Sequence, residues 1–266
     1  MTTQIVIHAG FHKTGTTSVQ SMLRENATVL ETHLRVFLKE AFEDLTTSAR
    51  AFSIEPREKT LRQVAEAANA FFGTLDRTDP RPILMSSEDL SGHMPGRHGL
   101  ECYDSAGLVM RCLSEAAAHH FGRNLDLVFY FSTRDREPWL RSTWWQNLRS
   151  TRLTQDFQTY SAQFDDARGL EDILTEVAED VGLARVTSHR LEDAETLPLG
   201  PLSPLLALFD LPDLDLSSLQ LLPPENVQPN VGIDEVFLAL NRSALPEKDV
   251  QDAKRTIRKM ARSLQV

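Results

Sequence analysis

Three groups of residues in this chain have types and spacings that could do chemistry. The first is a glycine-bounded turn, His8-Ala9-Gly10-Phe11-His12-Lys13-Thr14-Gly15-Thr16-Thr17-Ser18, which leaves an apolar run and enters a helical one. Free backbone N–H groups and the positive end of a helix converge at such a turn, and together they attract an anion. The second is Arg134 with Ser142 eight residues later, where one guanidinium and one hydroxyl can reach a single phosphate. The third is Glu88, a carboxylate placed directly after the apolar run Ile83-Leu84-Met85-Ser86-Ser87 and able to accept a proton there.

Each group has a plainer reading beside the chemical one. Gly10 and Gly15 are five apart, as in the nucleotide-binding P-loop, but Thr16 stands where that motif has lysine, and Lys13 precedes Gly15 by two. A lysine at the crest of the loop can approach the oxygen bridging a 5'-phosphate and its transferable group, where charge collects as the bond breaks. A threonine-capped turn without a ligand and an ATP or GTP loop of unusual form are the competing readings. Arg134 competes with a surface salt bridge, and Glu88 with a helix cap or a pairing to Arg134. Asp89 and His93 stand behind Glu88 as candidate bases. His8 and His12 flank the loop, where they could orient it or approach a ligand.

The turn closely resembles the phosphosulfate-binding loop of sulfotransferases, whose pattern is Lys, a small residue, Gly, Thr, Thr. The preceding His12 and the following Ser18-Val19-Gln20 resemble the bacterial branch. The stretch Arg134-Asp135-Arg136-Glu137-Pro138-Trp139-Leu140-Arg141-Ser142 is similar to the one with which that family binds a 3'-phosphate. The resemblance implies that Lys13, Thr14, Gly15, Thr16 and Thr17 hold the 5'-phosphosulfate of 3'-phosphoadenosine 5'-phosphosulfate (PAPS), with Lys13 steadying the leaving oxygen. It implies that Arg134 and Ser142 hold the 3'-phosphate, that 3'-phosphoadenosine 5'-phosphate (PAP) is the product, and that no metal takes part.

Many members of the family have a histidine after the strand that precedes Glu88, and some carbohydrate sulfotransferases use a glutamate as base, which gives Glu88 that role by resemblance. The acceptor implied is the hydroxyl or amine of a small molecule, glycan or lipid. The family's late Arg-Lys-Gly segment is missing. Glu225-Asn226-Val227-Gln228-Pro229-Asn230 stands in its region and resembles an asparagine-containing version, with a proline-bounded turn as the alternative. Two rivals remain: a small-molecule or nucleotide kinase, which needs magnesium held by a loop hydroxyl and a strand-end acid, and a catalytically silent nucleotide-binding protein.

Positioning these groups requires strands that end where they begin. Gln4–Ala9, Ile83–Ser87 and Leu125–Ser132 read as short buried strands, with a weaker one at Arg185–Arg190. Helical patterns lie at Thr16–Arg24, Glu55–Leu75, Ala106–Phe121, Glu137–Arg149, Leu170–Val181, Ile233–Arg242 and Glu247–Leu264. The proline-richer stretch Leu197–Pro229 reads as irregular, with a short helix near Pro204–Phe209. This alternation predicts an α/β fold over residues 1–266 as one domain, a parallel sheet flanked by helices, with ligands at the strands' carboxyl ends. On the helix after Arg134, Leu140, Trp144 and Leu148 form an apolar stripe while Ser142, Trp145 and Arg149 share another face.

The bulk numbers narrow the partners. With 28 basic and 38 acidic residues the net charge is −10, which repels a nucleic-acid backbone unless cations gather locally, as Arg134, Arg136, Arg141, Arg149 and Arg152 do. No uninterrupted apolar run reaches the roughly 18 residues of a membrane span, and the early Lys13 interrupts any secretory leader, so the expectation is a cytoplasmic protein. Cys102 and Cys112 lack zinc-site spacing and read as reduced thiols, and the eight histidines have no spacing that marks a metal site. Acceptor contacts are expected from the variable segments 34–70, 92–104 and 149–169.

Overall fold

A computed structural model describes residues 2–122, 124–223 and 232–263. Five strands form one parallel sheet: β1 (Thr3–His8), β2 (Arg35–Leu38), β3 (Ile83–Ser86), β4 (Leu125–Thr133) and β5 (Arg185–Arg190), in the spatial order β2-β3-β1-β4-β5. The three inner strands are apolar on both faces because helices cover both. Ile5 and Ile7 turn to one side and Val6 to the other, each with no exposed surface.

Helices α1 (Thr16–Glu25) and α2 (Ala27–Leu30) follow β1, and α3 (Glu43–Ile54) and α4 (Glu58–Gly73) follow β2. The helix α5 (Ala106–Phe121) leads into β4, and α6 (Arg136–Ser150), α7 (Phe157–Ala162) and α8 (Leu170–Asp180) lead into β5. Four more complete the described chain: α9 (Leu191–Ala194), α10 (Ser203–Leu206), α11 (Ile233–Arg242) and α12 (Glu247–Ser263). The larger core packs Ile5, Ile7, Met85, Phe129 and Phe131 under α3, α4, α5, α6 and α8. On the opposite face Val6, Leu84, Val128 and Tyr130 pack under α1 and the segment 199–222.

The chain leaves β1 toward β3 and β2 on one side and reaches β4 and β5 on the other. This reversal of strand order opens a crevice at the carboxyl end of β1. All the pairings are parallel, with His8 in register with both Ser86 and Tyr130, so the chemically marked residues after β1, β3 and β4 emerge at one edge.

The α/β architecture with a parallel sheet is as expected; the sequence reading lacked β2, α3 and the short helices α2, α7 and α9, and began α4 too early. The edge strand β2 was not expected. It has four residues, all half-buried, too few for alternation to register. Helix α3 was also not expected, because its polar Thr47, Ser48 and Arg50 dilute the apolar face made by Leu45, Ala49 and Phe52. The helix expected from Glu55 starts at Glu58, since Pro56 keeps Glu55 out of the helical conformation and divides α3 from α4. No helix among the described residues is long and apolar enough to cross a membrane.

Candidate active site

The loop between β1 and α1 has its carbonyl oxygens tied to the protein. Ser91 Oγ donates to the Gly10 oxygen at 2.8 Å, Thr14 Oγ1 to that of Phe11 at 2.6 Å, Trp139 Nε1 to that of His12 at 3.0 Å and Arg134 Nη1 to that of Lys13 at 3.2 Å. The donors behave differently. Among the described residues, no acceptor meets the backbone N–H groups of Lys13, Thr14, Gly15, Thr16 or Thr17. A loop whose Gly10, Phe11, His12 and Lys13 carbonyls are engaged while these donors stay open presents a net positive face, and α1, with no side-chain cap and no acid in its first turn, adds its dipole to it.

Beneath the loop lies a buried polar bridge across three strand ends. His8 contacts Ser86 Oγ through Nδ1 at 3.0 Å and Ser132 Oγ through Nε2 at 3.3 Å, and Ser132 Oγ reaches Thr14 Oγ1 at 3.1 Å. Burial pushes the His8 imidazole down to a pKa of about 3, so it bonds as a neutral ring. At Gly15 the backbone has φ 93°, and a Cβ there would fall 2.8 Å from Leu191 Cδ1. Only glycine lets the loop close against α9.

Lys13 occupies the crest in a left-handed conformation, φ 71°, rarely used by residues with a Cβ. Burial, then the charges of Arg149 and Arg134, lower its ammonium to a pKa of about 8, opposed by Glu88. The side chain faces a cleft of about 1300 Å³ whose lining includes Lys13, Gly15, Thr16, Thr17, Glu88, Arg134 and Ser142. Thr14 is the one predicted loop residue that turns inward; it is fully buried and works through the Phe11 and Ser132 bonds.

Helix α6 forms the opposite wall. Leu140, Trp144 and Leu148 are buried as the stripe predicted, and Ser142, Trp145 and Arg149 line the cleft, with Trp145 stacked on Phe237 at 5.4 Å. Arg134 pairs with Glu192 at 3.6 Å and not with Glu88, and its cleft position makes it more than a surface partner. The arginine island divides. Arg134, Arg141 and Arg149 face the cleft, whereas Arg136 and Arg152 are committed to backbone carbonyls, Arg136 to those of Phe164 and Ala167 and Arg152 to those of Asn241, Ser243 and Leu245. The buried Lys254 ammonium donates to the Leu148 and Thr151 carbonyls, each at 2.8 Å, which satisfies the end of α6 and fixes this wall against α12.

Glu88 begins the 3₁₀ turn Glu88–Ser91 after β3 and accepts from Gln20 Nε2 at 3.0 Å, so its carboxylate is aimed across the cleft from α1. The helix-cap role falls to Ser87, whose hydroxyl accepts from the Asp89 N–H. Asp89, a candidate base by position, is already taken by Lys39, by His12 at 3.4 Å and by Arg50 at 3.8 Å. Burial raises its carboxyl, but the bonds and charges of His12 and Lys39 outweigh that and hold it well below the usual range. His93 lines the cleft, and burial followed by the Arg50 charge lowers it to about 4. His12 packs parallel to Tyr103, whose hydroxyl also accepts from the His12 N–H at 3.0 Å, so it acts on the loop from the side.

Sequence reasoning missed Lys39, Arg50 and Arg97 in the cleft, along with Gln20 and Trp139 as positioning groups. Gln20 had a signal, its place one turn into the helix after Thr16; the three cations fall in segments 34–70 and 92–104, from which acceptor contacts were expected, but nothing marked them individually, since one follows a missed strand, one sits on a missed helix and one lies in a loop. The segment Glu225–Asn230 lies outside the described residues. Among those described, no group of three or more His, Cys, Asp or Glu side chains could hold a metal ion. No family model and no curated protein matches this chain.

Proposed function

We propose that this protein transfers a sulfuryl group from PAPS to a hydroxyl or amine of an acceptor. The observation that carries the reading is the bond from Arg134 Nη1 to the Lys13 carbonyl, which draws the anion loop and the second anion motif to one cleft. A compound with phosphates at its two ends requires that pairing. The open N–H groups of residues 13–17 and the α1 terminus would receive the 5'-phosphosulfate, and Arg134 with the Ser142 hydroxyl the 3'-phosphate.

In this mechanism the acceptor oxygen or nitrogen attacks sulfur in line as the bond from sulfur to the 5'-phosphate oxygen breaks. Glu88, held by Gln20, accepts the acceptor's proton, and the Lys13 ammonium stabilises the negative charge that develops on the departing phosphate oxygen. Rate enhancement comes from positioning and fixed charge. The kinase alternative needs a free strand-end carboxylate for magnesium; Asp89 is bound to Lys39, Arg50 and His12, which leaves Glu88 as the carboxylate after β3 open to either role, and magnesium dependence separates the two.

Calorimetry tests the donor directly. PAP is expected to bind in magnesium-free buffer at least tenfold tighter than ADP; equal affinity, or a requirement for magnesium, would remove the reading. Retained PAP binding with no transfer of labelled sulfate in cell extract would turn it into a silent binding protein.

A further inference from the structure

The cleft carries more positive charge than the donor groups account for. The surplus comes from segments that follow β2 and β3 in the chain, whereas Arg134 follows β4. Lys39 follows β2, Arg50 projects from α3 and Arg97 comes from the loop before α5, and all three line the cleft. Lys39 and Arg50 share the single carboxylate of Asp89 with His12. Arg97 has no carboxylate: among the described residues its partners are neutral, Asn147 Oδ1 at 2.7 Å to Nε and Ser150 Oγ at 2.7 Å to Nη2.

That arrangement holds the guanidinium still without neutralising it. Asn147 is buried and fixed in turn, donating through Nδ2 to the Tyr160 hydroxyl at 3.2 Å, and Tyr160 donates to Thr143 Oγ1 at 3.2 Å. Gly96 lets the loop approach this group: it has φ 84°, and a Cβ there would stand 2.7 Å from Asn147 Nδ2. Two of the five guanidinium N–H donors are used, which leaves three beside the cleft. Its charge also reaches Lys13, since Arg97 is among the groups lowering that ammonium.

We propose that the acceptor is anionic, and that Arg97 receives a carboxylate or sulfate on the acceptor next to the hydroxyl or amine that is to be sulfated. The inference rests on the sulfotransferase reading and narrows it from any acceptor to acidic ones, with Lys39 and Arg50 supplying the surrounding field. A guanidinium held by an amide and a hydroxyl, with planar donors to spare, is built to take a second planar or tetrahedral anion in two hydrogen bonds.

The test uses the full chain saturated with PAP and a panel of matched hydroxyl compounds (sugar, phenol and hydroxy-fatty acid), each as the free acid and as its methyl ester. In at least one scaffold the free acid is expected to bind about tenfold or more tighter than the ester, as loss of one charge-assisted pair implies. Arg97→Gln is expected to erase that gap while leaving PAP affinity within twofold, and Arg97→Lys to restore part of it. The proposal is overturned if esters match acids in every scaffold that binds, if no acid binds, if the gap survives Arg97→Gln, or if Arg97→Gln weakens PAP as much as it weakens the acid. Failure of the sulfotransferase reading would show separately, as absent PAP binding in the first titration.

Discussion

Arg134 and Lys13 are 121 residues apart in sequence and 3.2 Å apart in space, guanidinium to carbonyl. The bond uses the backbone of Lys13 and leaves its ammonium for the cleft. Together with Trp139 on the neighbouring carbonyl, it turns the loop's acceptors toward β4 and α6 and its donors toward a ligand. Five predictions test this arrangement.

Arg134→Ala removes both a phosphate contact and a support of the loop. PAP affinity is expected to fall by about 10- to 100-fold, the equivalent of one charge-assisted contact. Calorimetry would also show a smaller loss for a nucleotide lacking the 3'-phosphate. Equal losses for both compounds would assign Arg134 to the loop alone.

Lys13→Ala is expected to lower transfer by about 100-fold or more with a smaller effect on PAP affinity, because the ammonium acts on charge that develops during the reaction. Its pKa of about 8 sets the pH dependence. The charged form persists below that value and is lost above it, so kcat/KM should decline as pH rises through about 8. A flat profile from pH 7 to 9.5 would contradict the role.

Glu88→Gln keeps the shape of the side chain but cannot accept a proton. Transfer is expected to drop by about 10² to 10⁴ while PAP binding stays unchanged. Gln20→Ala should produce a milder loss through misalignment of the same carboxylate, read as a fall in kcat.

Trp139→Phe deletes the N–H that meets the His12 carbonyl and retains most of the buried ring. A cost of about 1 kcal/mol is expected, seen as a roughly fivefold weaker PAP affinity and a slightly lower melting temperature.

His8 makes stability depend on acid. Its folded pKa of about 3 lies below the unfolded value of 6.5, so the unfolded chain takes up a proton that the folded chain refuses. The neutral ring's contribution is intact above pH 6.5 and is lost as pH falls toward about 3, at up to about 1.4 kcal/mol per pH unit. Urea denaturation of wild type and His8→Gln at pH 7 and pH 5 isolates this slope, which should be shallower in the variant. Parallel slopes would mean that other groups dominate.

Local patterning made the chemical loop and the inner sheet legible. The run Gln4–Ala9 against the observed Thr3–His8, and Leu125–Ser132 against Leu125–Thr133, were readable because strands buried on both faces are continuously apolar. The same holds for α1, with its hydroxyl start, and for α5, with its helical composition, since these signals are carried within one element. The site was legible wherever a residue's place followed from the end of such a strand, as with Lys13, Glu88 and Arg134.

The tertiary structure decided which groups are used up and which remain available. Asp89 and Glu88 are adjacent and alike in sequence, yet Lys39 after β2, Arg50 on α3 and His12 on the loop consume the first and leave the second facing the cleft. Arg152 and Arg97 are both plain arginines in polar surroundings, but one caps carbonyls of the α11–α12 connection and the other holds its charge open. Electrostatic pairing depends on distances between segments remote in sequence, and a linear pattern contains none of them.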